Sequence, residues 1–284
     1  DAAGYGYYRV WTERAYLLKL AIIPLMVKFA CTIALLVLGF QDNILRQGLV
    51  LLPGVLAEGW VLAQFLRTLL KDERWPTYLP PEIDDKVLDR LLLRARGIVA
   101  AVLAYGLIAL ASYAVRYLVF GIVLGHVGIS DGDVAHLATD ANPDSQNITI
   151  TPLVMLPMLG LSVALFWGFR LMWVYIPFSV LMPLRDYLTA LGGWMASVRM
   201  MALFFCCMTP LMFLVMVISR ILSGFIQGFG GGDDVARFIM VFVAVVAETL
   251  IGLVATAAFV WAMRSFLPKN PELLKELPKL KGEE

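Results

Sequence analysis

Histidine is nearly missing from this chain, with two in 284 residues, His126 and His136. Both fall in or beside one hydrophilic loop, so no two histidines face each other across helices as a bis-histidine haem requires. An HExxH helix and the ligand spacing of a structural zinc site are absent too. Cysteine is scarce: Cys31, Cys206 and Cys207 all lie in apolar segments, and without a CxxC neither a disulfide framework nor a zinc ribbon is encoded. There is no GxxxxGK[ST] and no GxGxxG, which removes the usual phosphate cradles, and no GxSxG with partners at one depth. No cofactor is therefore expected, and catalysis is not the expected role. Charge is sparse as well. Asp, Glu, Lys and Arg make up 16% of residues against about 25% in soluble domains. With a formal net charge of +1 there is no basic field for nucleic acid.

Apolar residues take up the space that charge leaves, 60% of the chain, gathered in blocks of some twenty or more residues. Blocks of that length match the bilayer core, whereas a transmembrane barrel would show alternating segments of about ten. The pattern predicts an all-α, polytopic integral membrane protein with six transmembrane helices in three hairpins, plus short interfacial amphipathic helices. The spans are expected at 20–40, 48–70, 97–125, 152–181, 200–222 and 238–263, with an N-terminal interfacial segment 1–19 and a C-terminal tail 264–284. Residues 1–19 mix Tyr5, Tyr7, Tyr8, Trp11 and Tyr16 with Arg9, Arg14 and Lys19, a composition that suits the headgroup layer. Residues 82–96 offer two readings. Lys86, Arg90, Arg94 and Arg96 fit either a basic helix on an anionic lipid surface or the charged start of the third span. Pro157 and Pro177 are expected to kink the long fourth span, and the Gly-rich run 223–234 is expected to be a turn.

Orientation follows from basic residues outside the spans. Sixteen Lys and Arg fall on one side; the other side has few, and its largest loop, 126–151, holds four aspartates and no Lys or Arg. The positive-inside rule then places both termini in the cytoplasm and loop 126–151 in the periplasm of a bacterial inner membrane. That orientation also argues against a cleaved signal peptide.

The informative residues are the charges at bilayer depth, because each costs roughly 2.5–3.5 kcal/mol there unless it faces protein or water. Lys28 and Glu58 sit sixteen residues before and fourteen after Ile44, where the first hairpin turns. Antiparallel helices bring them to one depth within about 3 Å, so they are expected to pair. Glu248 shares a helical stripe with Ala244, Gly252, Ala255 and Thr256, and such small residues suggest a packed neighbour. With Lys28 assigned to Glu58, the expected base for Glu248 is Arg170, Arg116 or a residue of another chain. Arg170 has Phe166, Trp167 and Trp173 at helical spacing, a setting for a cation–π contact. Arg67 near a span end is expected to snorkel. The bases outnumber the acids at this depth, which leaves room for lipid phosphate, an anionic ligand or a partner's carboxylate.

Two classes of function are compatible with these residues. The leading expectation is a non-catalytic inner-membrane subunit, scaffold or assembly factor of a larger complex, with membrane lipids and other membrane subunits as partners and no nucleic acid. The alternative is a secondary transporter or channel that uses Lys28, Glu58, Arg170 and Glu248, or a lipid-binding protein that uses the basic residues of 82–96.

Overall fold

A computed structural model describes residues 1–40, 43–76, 85–118, 152–228 and 233–264. Loop 126–151 with its histidines, and the tail beyond residue 264, lie outside the described residues. Among the described residues there is no strand, and six helical segments are long and apolar enough to cross a membrane. The protein is an all-helical, polytopic integral membrane protein.

The chain begins with α1 (Ala2–Thr12), turns at Glu13, and enters α2 (Arg14–Val37). α3 (Ile44–Lys71) starts at Asn43, whose side chain accepts the Arg46 N–H at 3.1 Å, and ends at Asp72 in the left-handed region (φ 51°). The cap satisfies a backbone donor that the first turn leaves unpaired. α4 (Asp85–Tyr117) follows. Next come α5 (Pro152–Gly168), a 3₁₀ turn (Phe169–Trp173) and the short α6 (Tyr175–Ser179). α7 (Leu184–Leu191) connects to α8 (Trp194–Gly228), and α9 (Asp233–Ala262) is the last span.

α3 lies between α2 and α4, and α9 packs on α1, α2, α3 and α8. α3 is the most enclosed span, half of its most apolar stretch lying inside the protein. Small residues make this possible. A Cβ on Gly54 would stand 3.0 Å from the Lys28 Cα, so α2 approaches α3 at backbone distance, and one on Gly59 would stand 3.1 Å from the Tyr105 ring, which fills the space that the glycine leaves. The core runs through Val61, Leu62, Phe65 and Leu66 of α3, Ala255, Ala258 and Phe259 of α9, and Tyr175 and Ile176 of α6. Elsewhere large apolar side chains face outward, as at Leu103 and Leu107 of α4 and Phe213 and Met216 of α8. A bilayer accepts such a surface.

Four expectations change. Residues 85–96 are not a separate surface helix, because α4 runs unbroken from Asp85 into the third span. The 1–19 segment does not simply lie in the headgroup layer: Gly6 of α1 is buried against α9, where a Cβ would come 2.5 Å from the Val254 carbonyl oxygen. Tyr8 and Trp11, on the other side of α1, remain exposed. The break in the fourth span falls at 169–174, within one or two turns before Pro177, which cannot donate to the carbonyl four residues back and crowds it. Pro157 sits inside regular α5. Finally, residues 223–228 continue α8 instead of turning.

Candidate functional site

Three spans converge on one lysine. Lys28 of α2 is 7% exposed, and its Nζ donates to Glu58 Oε2 of α3 at 2.7 Å. It also lies 3.0 Å from Glu248 Oε2 of α9. The structure thus brings together the two residues that the hairpin arithmetic pairs, and adds Glu248 on the same ammonium. This corrects the expectation that Lys28 is used up by Glu58. An ammonium carries three N–H donors, so it can serve two carboxylates at once.

The two carboxylates differ sharply in surroundings. The Glu58 side chain is 5% exposed and that of Glu248 is 69% exposed. Glu58 is fixed in the packed centre of α3, facing Tyr105 of α4. Glu248 was expected against a packed neighbour; instead it opens onto a cavity of about 420 Å³. Its stripe splits: Ala255 and Thr256 are fully buried, while Ala244 and Glu248 are exposed. The carboxylate of Glu58 reaches beneath Gly252, where a Cβ would stand 3.5 Å from Oε1. A glycine at that position leaves room for the two acids to meet on one lysine.

The cavity has two kinds of wall. Glu58, Glu248, Tyr105, Ser112 and Tyr113 give it a polar end, with Arg116 also on the lining. Phe169, Met172, Trp173 and Phe204 give it an apolar, largely aromatic end. That end is braced from behind: Trp173 stacks on Phe259 with ring centroids 3.8 Å apart, and Tyr175 bonds Thr256 at 2.7 Å. The indole Nε1 of Trp173 is buried and has no hydrogen-bond partner among the described residues. With Lys28 against Glu58 and Glu248, the triad formally carries one negative charge, and its exposed member faces the cavity. A concave site with a few convergent polar groups on an apolar background is the usual form of a small-molecule pocket, and 420 Å³ lies within the typical range of about 300–1,000 Å³.

The other candidates are placed elsewhere. Arg170 is not the partner of Glu248. It is buried, its guanidinium lies 4.1 Å from the Trp167 ring, and it donates to the Gly192 carbonyl. Its own carbonyl accepts from the Tyr187 hydroxyl at 2.8 Å, so Arg170 ties the broken span to α7 and to the start of α8. The cation–π contact is the one its neighbours suggest, but it is a clamp away from the triad. Arg116 lines the cavity, while the ion pair of Glu248 is with Lys28.

Among the basic residues of 82–96, Arg94 departs from a lipid-facing role. It is 7% exposed, bonds the Arg74 carbonyl at 3.1 Å, and stands 3.8 Å from Glu73. Arg90 and Arg96 are exposed, and the side chain of Lys86 lies outside the described residues. Arg67 does not snorkel either. At 2% exposure it grips Glu73 at 2.6 Å and the Ser179 carbonyl at 3.1 Å. Arg74 continues the network to Glu13 at 3.1 Å, joining the α1–α2 turn to the segment after α3.

Sequence reasoning missed Tyr105, Tyr113, Phe169 and Phe204 as cavity residues. Tyr105 and Tyr113 are eight apart on α4, close to two helical turns, which is the signal that would have found them. Among the described residues no group of three or more His, Cys, Asp or Glu side chains is arranged to hold a metal ion. No family model, no curated protein and no solved structure matches the chain.

Proposed function

We propose that this protein is a membrane transporter that binds a cation or proton at the Glu58–Lys28–Glu248 triad. The observation that carries the reading is one buried ammonium shared by two carboxylates on the lining of a cavity at bilayer depth, Glu58 almost sealed and Glu248 largely exposed. A tight, closed Lys–Glu pair is adequate for holding two helices together. A second acid on the same lysine, largely exposed, is superfluous to that task and suited to exchanging partners: when a cation or proton meets Glu248, Lys28 retains Glu58. Intramembrane ionisable groups that face a cavity mark ion and substrate routes. α2, α3 and α9 each supply one member, so a change of partner at Glu248 alters the contact between α9 and the α2–α3 hairpin. Such a rearrangement is a minimal device for alternating access.

By the charge asymmetry of the loops, the proposed setting is a bacterial inner membrane with both termini in the cytoplasm. Purified protein in liposomes should support a cation or proton flux that the Glu248→Gln variant loses. Equal flux in wild type and variant, or none in either, would sink the reading.

One observation favours a second reading, in which the chain is a non-catalytic subunit or scaffold of a larger membrane complex. Only 6% of the most apolar stretch of α8 is buried inside this chain, against half for α3, so α8, though it packs on α9, leaves much of its apolar surface for another membrane protein. Gentle purification distinguishes the two: partner chains at fixed stoichiometry support the subunit reading, and a lone, flux-competent chain supports the transporter.

A further inference from the structure

We infer that the cavity selects an organic cation: an ammonium group on an apolar, preferably aromatic, body. The inference deepens the transporter reading and rests on it. Two features of the walls define the ligand. First, the triad at the polar end formally carries one negative charge, because Lys28 offsets only one of the two acids that meet it, and the Glu248 carboxylate is exposed to the occupant, with Arg116 the one further charge among the described residues of the lining. An inorganic ion would need a cage of oxygens at short range, whereas one exposed carboxylate flanked by the phenol groups of Tyr105 and Tyr113 suits a broader, softer cation.

Second, the cavity does not end at the acids. Phe169, Trp173 and Phe204 form an aromatic wall, with Phe169 and Phe204 5.9 Å apart edge to face and Phe204 5.8 Å from Trp173. A proton or a bare metal ion leaves that wall unused. An aryl or alkyl body fills it and gains about 25 cal/mol for each Å² removed from water.

Binding can be measured on the full chain in nanodiscs by calorimetry with benzyltrimethylammonium, whose permanent charge removes protonation from the question. Tetramethylammonium, which lacks the aromatic body, and phenylacetate, which reverses the charge, are the comparators. The expected order is benzyltrimethylammonium tightest, tetramethylammonium at least about tenfold weaker, and phenylacetate without measurable binding. Glu248→Gln, an exposed position where the change leaves packing intact, should weaken benzyltrimethylammonium about tenfold or more. Phe204→Leu should narrow the gap between the two ammonium probes. Phenylacetate binding as well as benzyltrimethylammonium, equal affinity for the two ammonium probes, or indifference to Glu248→Gln would each overturn the inference. The two readings fail separately. Glu248-dependent flux without benzyltrimethylammonium binding removes the ligand class and keeps the transporter; Glu248-dependent binding without any flux keeps the ligand class and removes the transporter.

Discussion

Replacing Lys28 by Met should be far more damaging alone than together with Glu58→Leu. In the wild type, the Lys28 and Glu58 side chains are 9% and 5% exposed and 2.7 Å apart. Removing the ammonium leaves a carboxylate inside the α2–α3 contact with its counter-charge gone. Gly54 lets the α2 backbone approach closely on that side, a Cβ there already standing 3.0 Å from the Lys28 Cα. Breaking a buried pair by removing one partner costs about 3–5 kcal/mol, whereas replacing both partners by apolar residues is often close to neutral. The single variant should therefore lose about 3–5 kcal/mol, and the double variant should recover most of that loss, a coupling beyond the 0.5–3 kcal/mol typical of neighbours only if the pair is as dry as the geometry indicates. Glu248 sets an internal control. Its side chain is 69% exposed, so Glu248→Gln should change stability by no more than about 1 kcal/mol even though it faces the same ammonium. The assay is reversible unfolding in mild detergent, or thermal retention of a monodisperse peak, for the four members of the cycle and for Glu248→Gln. Equal loss in Lys28→Met and in the double variant would show that Lys28 and Glu58 are not energetically coupled. A large loss in Glu248→Gln would show that Glu248 is a structural partner, which would remove the basis for an exchangeable acid.

Three further outcomes follow from other parts of the molecule. Gly6→Ala should lower stability by about 1–3 kcal/mol, since the new Cβ meets the Val254 carbonyl oxygen at 2.5 Å, whereas Gly4→Ala, with nothing within 4 Å, should be neutral or gain up to about 1 kcal/mol from helix propensity; melting the pair side by side tests whether α1 docks on α9. Tyr187→Phe should cost about 1–3 kcal/mol by leaving the buried Arg170 carbonyl without its donor; burial pushes the Tyr187 phenol well above its ordinary range, so the loss should be the same across neutral and mildly alkaline pH, and a loss confined to one pH range would contradict the bond as drawn. Arg94→Met should destabilise the protein by a few kcal/mol while Arg90→Met and Arg96→Met leave stability within about 0.5 kcal/mol and reduce binding to anionic liposomes; stability loss and lipid binding tracking together in all three would mean that Arg94 is not set apart by its burial.

What could be read from the chain, and what could not, divides along a physical line between depth and direction. Hydrophobic length fixes where each span crosses, so the six spans and the depth of Lys28, Glu58 and Glu248 are legible from residue counts. A short turn between consecutive helices also fixes their neighbourhood, which is why the Lys28–Glu58 pair follows from the position of Ile44. The meeting of Glu248 with Lys28 has no such source. It depends on α9, the last span, packing against α2, the first, and a helix stripe of small residues names a face without naming what fills it. Residue types mislead in the same way for arginines. Arg67 and Arg94 sit where basic side chains normally reach for lipid headgroups, yet Glu73, in the segment just after α3, folds back over both and keeps them inside. Nothing in the periodicity of α3 or α4 announces that return.

The same line separates what holds the fold from what the cavity can do. Arg67, Arg94 and Arg170 each donate to a backbone carbonyl, at Ser179, Arg74 and Gly192. A carbonyl does not titrate and is not displaced by a ligand, so these arginines act as permanent ties. Lys28 is different. Of its two partners, one is sealed in the core and the other is open. Charge at Glu248 can therefore be neutralised, by a proton or by a bound cation, without stranding Lys28, because Glu58 still balances it. If Glu58 were the exposed acid and Glu248 the sealed one, ligand binding would act within the α2–α3 hairpin. As built, a cation bound at Glu248 would act between α9 and that hairpin, the contact along which the first and last of the described spans meet.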